Sequence, residues 1–336
     1  MLRTRTLFSW LIFIGAVIAM SVPLPSDDDS HLMSISEAND ETLVILTTDN
    51  PALLTPIVDR FAEEYAAEVR VVGIDSEINV DVIQQTHADL ILVRDINELV
   101  SAIDANALDT LPPDIMWNID SHFRDPANRW IGYTGRLQVL VYNPTLVDIT
   151  QLPSTVADLV ATDWVEHIGC SSESIMNPTT SGYRDLLTAT TQYGTHFDTD
   201  VAVIQAVADG ELAMGLVNHD SVVQAMTSGL MDQLGLHVLV DNHGNTMTVS
   251  AIALADSANS KPLAELFLIH LYGMRTQNFI AETTGQYTFL AFSSASPQDL
   301  PALMDLSLSD FGTLFDSDHI SSENRDSVAN TVASTN

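Results

Sequence analysis

An arginine and a tyrosine in the segment FRDPANRWIGYTGRLQVLVYNPTLV, residues 123–147, are the strongest candidates for chemistry in this chain. Arg136 stands just before an apolar run, and Tyr142 closes that run. A guanidinium group presents a planar fork of donors that suits carbonate, phosphate or carboxylate, whereas a tyrosine offers a hard oxygen donor. Each residue could instead be structural, Arg136 in an ion pair and Tyr142 as the cap of a loop. The pair marks this segment as a candidate ligand-binding site.

A second candidate is the loop Pro178-Thr179-Thr180-Ser181-Gly182, which precedes a predicted helix. Small residues at the start of a helix can expose backbone N–H groups to an anion, which makes Ser181 and Gly182 candidates for ligand contact. The same residues are equally typical of an ordinary helix cap.

Residue patterns typical of enzymes are weak in this sequence. His219, Asp220 and Ser221 are the residue types of a catalytic triad, but adjacent residues cannot pass a proton along one line. The sequence contains no HExxH motif, nucleophile elbow or phosphate-binding glycine loop. Cys170 lies in a predicted strand and is interpreted as an inert buried thiol. A further possible metal-binding group is less favoured: His237, Asp241 and His243. The chain is therefore predicted to be a binding protein and not an enzyme.

The charge balance narrows the choice of partners. The formal net charge is −33, and the twelve basic residues include a single lysine, Lys261. Nucleic acid is an improbable partner because phosphate binding needs a basic face. Strong acidity is typical of an exported protein that stays soluble and monomeric, although a salt-rich habitat would explain it as well. One cysteine excludes an internal disulfide bond.

The length of 336 residues favours two lobes over a single core. Residues 1–21 are predicted to be a signal peptide, with an uncleaved membrane anchor as the alternative, because a basic start precedes an apolar run. Residues 22–41 are interpreted as an acidic linker and 319–336 as a disordered tail. Alternating apolar strands and helices from Thr42 to Val93 favour a parallel sheet flanked by helices.

The segment from Phe123 to Val147 resembles the periplasmic ferric-iron-binding proteins, which are the substrate-binding subunits of iron ABC importers. Shared features are FRDP, then RW-x-G, then Gly-Arg ahead of an apolar strand that ends in Tyr-Asn. Three further segments resemble the family in the same order: Ala88–Leu92, Gly210–His219 and Phe279–Thr283. The resemblance implies an α/β, two-lobed type II periplasmic-binding fold. Its lobes would be 42–136 plus 248–292 and 137–247, joined by hinge strands, with 293–318 as a C-terminal packing segment.

In that family a ferric ion lies in the cleft between the lobes, bound chiefly by tyrosines, with an arginine and backbone amides holding a helper anion. The resemblance places Tyr142 on a metal-binding tyrosine and Arg136 on the anion-binding arginine. The resemblance also implies that Ser181, Gly182 and Asn218 contact the anion.

The sequence departs from the family at the metal-binding positions. Two adjacent tyrosines follow the Asn-His pair in the family, and Asp220 and Ser221 replace them here. Asn50 stands at the family's histidine and Arg94 at a glutamate that some members use. Tyr142 and Asp220 are the remaining predicted metal ligands. Arg94, Asp95 and Asn50 are predicted to contact the ligand, and bare Fe(III) is disfavoured.

The expected function is therefore that of an exported, periplasmic or extracellular, solute-binding protein of an ABC importer. The expected cargo is Fe(III) with a synergistic anion, or a ferric chelate, and the expected protein partner is a membrane permease. The alternatives are a binding protein for a phosphonate, phosphate or carboxylate, and a scaffold or sensor that has lost transport. Ligand contacts to both lobes would favour a closed state.

Overall fold

The computed structural model describes residues 42–75, 77–116, 119–161, 164, 167–171, 174, 188–227, 229–230, 234–241, 244–245, 247–290 and 306. The predicted contacts Ser181 and Gly182 lie outside these residues. So do the predicted signal peptide, linker and tail, and His243. Within the described residues, no helix has both the length and the apolar character needed to cross a lipid bilayer.

The strands, in chain order, are β1 Thr42–Thr47, β2 Glu68–Gly73, β3 Leu90–Val93, β4 Leu108–Asp109, β5 Trp130–Tyr142, β6 Ile168–Ser171, β7 Thr195–Phe197, β8 Met214–Asn218, β9 Gly235–Val238, β10 Val240–Asp241, β11 Gly244–Asn245, β12 Met247–Ala255 and β13 Tyr287–Thr288.

The α-helices are α1 Pro51–Tyr65, α2 Val80–Thr86, α3 Val100–Asp104, α4 Pro113–Met116, α5 Val156–Ala161, α6 Asp200–Ala208, α7 His219–Thr227, α8 Lys261–Leu271 and α9 Met274–Thr284. Short 3-10 helices cover Ile96–Leu99, Ser121–Phe123 and Ile149–Gln151.

Helix α1 illustrates how local sequence sets these elements. Asn50 caps its start by accepting a hydrogen bond from the N–H of Ala52 at 3.0 Å, and Pro51 occupies the first turn, where its missing N–H costs nothing. Its buried residues repeat at helical spacing: Leu54, Ile57, Val58 and Phe61. The helix ends where Ala66 adopts a left-handed conformation with φ of 52°.

The main sheet has the strand order β2-β1-β3-β12-β5-β8-β6-β7, with β4 on β12 and with β9 and β13 on β5. Pairing is parallel at both ends of the sheet, between β1 and its neighbours β2 and β3 and between β6 and its neighbours β7 and β8. Antiparallel pairing is concentrated on β5 and β12. The prediction of a mixed α/β fold with parallel strands flanked by helices is confirmed.

Strand β5 joins the two halves of the sheet. Its first part, up to Leu137, pairs with β12, and its second part, from Gln138, pairs with β8. The sequence predicted only the second part as a strand, because the glycines, threonine and arginine of the first part interrupt the apolar run. The partner change directly after Leu137 places Arg136 at the junction of the two halves.

Two glycines make room for the packing of this junction. A Cβ atom on Gly132 would lie 3.0 Å from the Phe289 ring, and one on Gly135 would lie 2.8 Å from it. Phe289 also stacks on Phe123 with ring centroids 3.8 Å apart. The glycine spacing in WIGYTG therefore serves close contact with an aromatic ring and not chain flexibility.

Candidate functional site

Arg136 links three strands at the point where β5 changes partner. Its Nη2 donates a hydrogen bond to the carbonyl oxygen of Arg94 at 2.6 Å and lies 3.4 Å from Oγ of Ser250. Ser250 in β12 donates to the same carbonyl at 3.0 Å. The Nε of Arg136 is buried and has no hydrogen-bond partner among the described residues. A buried donor that lacks a partner is costly, so this geometry fits a bound anion.

Two carboxyl groups lie close to this arginine, on the turn that follows β3. Asp95 is 3% exposed and caps the 3-10 helix, accepting from the backbone N–H and the side chain of Asn97 at 2.9 and 2.7 Å. Glu98 accepts a hydrogen bond from the hydroxyl of Thr48, which in turn accepts from the N–H of Arg94 at 3.1 Å. The turn therefore holds both carboxyl groups beside the two arginines.

Burial shifts the ionisation of both acids. Burial raises the pKa of Asp95, although hydrogen bonds from Asn97 and the charges of Arg136 and Arg94 oppose the rise. Burial also raises the pKa of Glu98 from 4.5 to about 7, and the nearby charge of Asp95 adds to that rise. The folded protein keeps the proton of Glu98 to higher pH than the unfolded chain does. Glu98 therefore lowers stability progressively as the pH increases from about 4.5 to 7.

Two residues near these arginines and acids, Tyr133 and Asp49, were not identified as site residues from the sequence. Tyr133 donates its phenolic hydrogen to Asp49 at 2.9 Å, and Asp49 also accepts from the N–H of Asn50 at 2.8 Å. Burial, and then the charge of Asp49, raises the pKa of Tyr133 well above 10. In the absence of a ligand the phenol is therefore protonated, with its hydrogen directed at Asp49.

The position of Tyr133 depends on an irregularity in the strand pairing. Thr134 pairs with Ser250 and Gly132 pairs with Ala251, so Tyr133 is an extra residue without a partner on β12. An extra residue re-aims its side chain relative to strict alternation. The only sequence signal was its place in the WIGYTGR segment.

We expect the variant Tyr133→Phe to be less stable by about 1–2 kcal/mol, because Asp49 is 6% exposed and would lose one of its donors. Urea unfolding would measure the change. Tyr193→Phe is the matched control, since Tyr193 is 53% exposed. Equal stabilities of the two variants would contradict a buried phenol–carboxylate bond.

The start of helix α7 is tied to the segment before β13. The ring of His219 accepts from the N–H of Leu137 and donates to the carbonyl oxygen of Gly285, each at 2.8 Å. Burial lowers the pKa of His219, which favours this neutral form. Asp220 accepts from the side chain of Gln286 at 2.9 Å and from the N–H of Ser221 at 3.1 Å. Both oxygens of Asp220 are therefore engaged within the protein.

Asn218 is held by a buried carboxylate. Its backbone N–H and its side-chain amide donate to Asp200 at 2.8 and 3.0 Å, and the hydroxyls of Ser171 and Ser221 donate to the same side chain. Asp200 has no exposed surface. Asn218 is thus fixed in place next to the junction on the strand beside β5.

Tyr142 lies in a separate environment. It belongs to an apolar cluster with Leu140, Val147 and Met214, and its ring lies against Gly235. Tyr142 pairs with Met214, whereas Asn218 pairs with Gln138, four residues earlier on β5. Four residues of strand span about 13 Å. The structure therefore does not bring Tyr142 together with Asp220, and their joint metal binding stays a prediction.

Comparison with known proteins shows to which family the chain belongs. A family model described as bacterial extracellular solute-binding protein matches residues 80–305, which is more than half of the chain. The chain belongs to this family. A curated relative, the Fe(3+)-binding periplasmic protein of Serratia marcescens, is 23% identical over 284 residues, covering 80% of this chain and 84% of the relative.

Solved structures agree with this solute-binding protein in fold. Iron-bound HitA from Pseudomonas aeruginosa aligns with a TM-score of 0.70 and 21% identity, covering 81% of this chain and 95% of that one. A Trichodesmium protein in complex with iron and citrate aligns with a TM-score of 0.64 and 19% identity, covering 82% and 95%. The predicted resemblance to ferric-binding proteins and the predicted two-lobed type II fold are confirmed.

The structure of this solute-binding protein groups some predicted site residues and separates others. Arg136, Arg94 and Asp95 converge at the junction, and Asn218 and Asp220 lie at the adjoining end of β8. Asn50 caps the start of α1, and the neighbouring Asp49 lines a small pocket together with Tyr133 and Gln286. Among the described residues, no group of three or more His, Cys, Asp or Glu side chains could hold a metal ion.

Proposed function

We propose that this protein is the exported substrate-binding component of an ABC importer and captures iron as a complex with an anionic chelator. The observation that carries the proposal is the Arg136 guanidinium, which is anchored to Arg94 and Ser250 while its buried Nε has no partner among the described residues. A carboxylate of a chelator is the kind of group that such a donor binds.

The donor groups near the junction favour a chelate over a bare ferric ion. Tyr133 remains a phenol because of burial and its bond to Asp49. Tyr142 packs among apolar side chains, and Asp220 already accepts two hydrogen bonds. Two arginines would repel a bare trivalent cation, but they attract one that is surrounded by carboxylates. The names of relatives that bind Fe(3+), and iron with citrate, support iron as the cargo.

A small anion without iron is the second candidate, because the two arginines would also hold a phosphate, phosphonate or carboxylate. Titration calorimetry distinguishes the two. We expect ferric citrate to bind more tightly than citrate, and ferric ion supplied without a binding chelator to bind weakly. Metal analysis and native mass of protein purified without chelators would show whether iron is retained. Equal affinity for citrate and ferric citrate would favour the anion alone.

Capture would proceed by closure of the cleft. We place the lobes at 42–136 plus 248–292 and at 137–247, with β5 and β12 as the hinge strands. The predicted packing segment 293–318 lies, apart from residue 306, outside the described residues. A ligand that contacts both lobes stabilises the closed form in proportion to its difference in affinity for the two forms. The closed form would be delivered, as a monomer, to the membrane permease.

We expect small-angle scattering to show a smaller radius of gyration with saturating ferric citrate than without ligand. The physical reason is that contacts to both lobes shift the population toward the closed form. The control is the same protein with a neutral sugar at equal concentration. An unchanged radius at saturation would contradict capture by closure.

A further inference from the structure

Two carboxyl groups share the surroundings of the arginines that we assign to the anion. Asp95 and Glu98 lie on one turn with Arg94, and the charges of Arg94 and Arg136 act on both acids. When all four side chains are ionised, the formal charges cancel. An incoming anion would therefore add negative charge to a group of side chains whose charges are already balanced.

We propose that an anion binds beside Arg136 and Arg94 together with a proton that Glu98 takes up from solvent. The proposal rests on the anion site of the proposed function, and it adds that the affinity depends on pH. The proton enters on Glu98 and no other bond is made or broken.

The polar and charged groups that act on Glu98 come from several elements of the fold. Thr48 at the end of β1 donates to its carboxylate, and Arg94 and Asp95 lie on the same turn. Arg136 projects from β5, and Ser250 of β12 holds the carbonyl of Arg94. An added negative charge next to these groups opposes ionisation of Glu98, so a bound anion strengthens the hold on the proton.

Glu98 suits this role better than Asp95 does. The carboxylate of Asp95 is needed as a cap, because it accepts two hydrogen bonds from Asn97. Glu98 is only partly buried and has the Thr48 hydroxyl as its hydrogen-bond donor. Its pKa of about 7 means that a proton can be gained near neutral pH.

The size of the effect follows from linkage. If the bound anion raises the pKa of Glu98 by one unit, the affinity falls about tenfold between acidic and alkaline pH. Near pH 7 each bound anion would carry up to about half a proton, because Glu98 is then partly ionised before binding.

Calorimetry in buffers of different ionisation enthalpy measures this proton directly. The probes are citrate and ferric citrate at pH 7, with affinities also taken at pH 6 and 8.5. The variant Glu98→Gln keeps the acceptor for Thr48 but cannot titrate, so it should lose the proton uptake and the pH dependence due to this residue. Citrate also exchanges protons with the buffer, but this contribution is the same for the wild type and for Glu98→Gln. It therefore cancels when the proton uptake of the two proteins is subtracted. The control is Glu77→Gln, an exposed acid that contacts Ser101.

The outcomes separate this proposal from the iron proposal. The Glu98 proposal is supported if citrate binding takes up a proton in the wild type and in Glu77→Gln but not in Glu98→Gln. This holds even if iron adds no affinity. Tight binding of ferric citrate with equal uptake in wild type and Glu98→Gln overturns it and leaves the iron proposal standing. Binding of neither probe overturns both. If Glu98→Gln does not fold, absence of uptake in the wild type across three buffers would still overturn it.

Discussion

Replacement of Arg136 by alanine is expected to weaken binding of ferric citrate roughly 10- to 100-fold while the protein remains folded. A charge-assisted contact of this kind contributes about 1.5–3 kcal/mol, and each 1.4 kcal/mol is a factor of ten. The carbonyl of Arg94, which Arg136 contacts, keeps the hydroxyl of Ser250 as a donor. The loss should therefore appear in affinity, measured by calorimetry, more than in stability.

A matched control for this variant is Arg70→Ala, because Arg70 is an arginine of β2 whose guanidinium makes an exposed hydrogen bond to the carbonyl of Thr86. The Arg70→Ala variant also removes one positive charge, but at a position outside the junction. Arg136→Lys adds a second comparison, since it keeps the charge and loses the planar fork. Unchanged affinity of Arg136→Ala together with an intact fold would assign Arg136 a purely structural role.

Replacement of Asp89 by alanine is expected to destabilise the protein by roughly 3 kcal/mol or more. Asp89 has no exposed surface and accepts hydrogen bonds from three backbone N–H groups, those of Val44 at 2.8 Å, Asn259 at 2.8 Å and Ser260 at 2.9 Å. Each buried donor left without a partner costs about 1–3 kcal/mol. Few single changes have larger effects.

Urea unfolding would measure this loss as a lower midpoint with an unchanged slope. The control is Asp59→Ala on the exposed face of α1, which removes a carboxylate without removing buried hydrogen bonds. The variant Asp89→Asn should lie between wild type and alanine, because an amide oxygen can still accept some of these bonds. A loss below 1 kcal/mol for Asp89→Ala would mean that water or local rearrangement satisfies the three donors.

The periodicity of apolar residues determined most elements of the fold. The apolar residues of Pro51–Tyr65 repeat at helical spacing and form α1, and the apolar run Met247–Leu254 lies within β12. Such patterns are readable because burial of one face requires a fixed repeat along the chain. The resemblance likewise pointed to Arg136, whose place directly before an apolar run is a feature of the linear sequence.

The contents of the site were decided by tertiary structure. Tyr142 and Tyr133 lie on the same strand, yet packing places one in an apolar cluster and an extra residue in the pairing directs the other to Asp49. Glu98 acquires its role only because folding brings Thr48 and Arg136 to it from strands far along the chain. The sequence thus determined which residue types were available and where the apolar helices and strands lie. Long-range pairing decided which side chains meet, because desolvation and charge depend on neighbours that local periodicity does not specify.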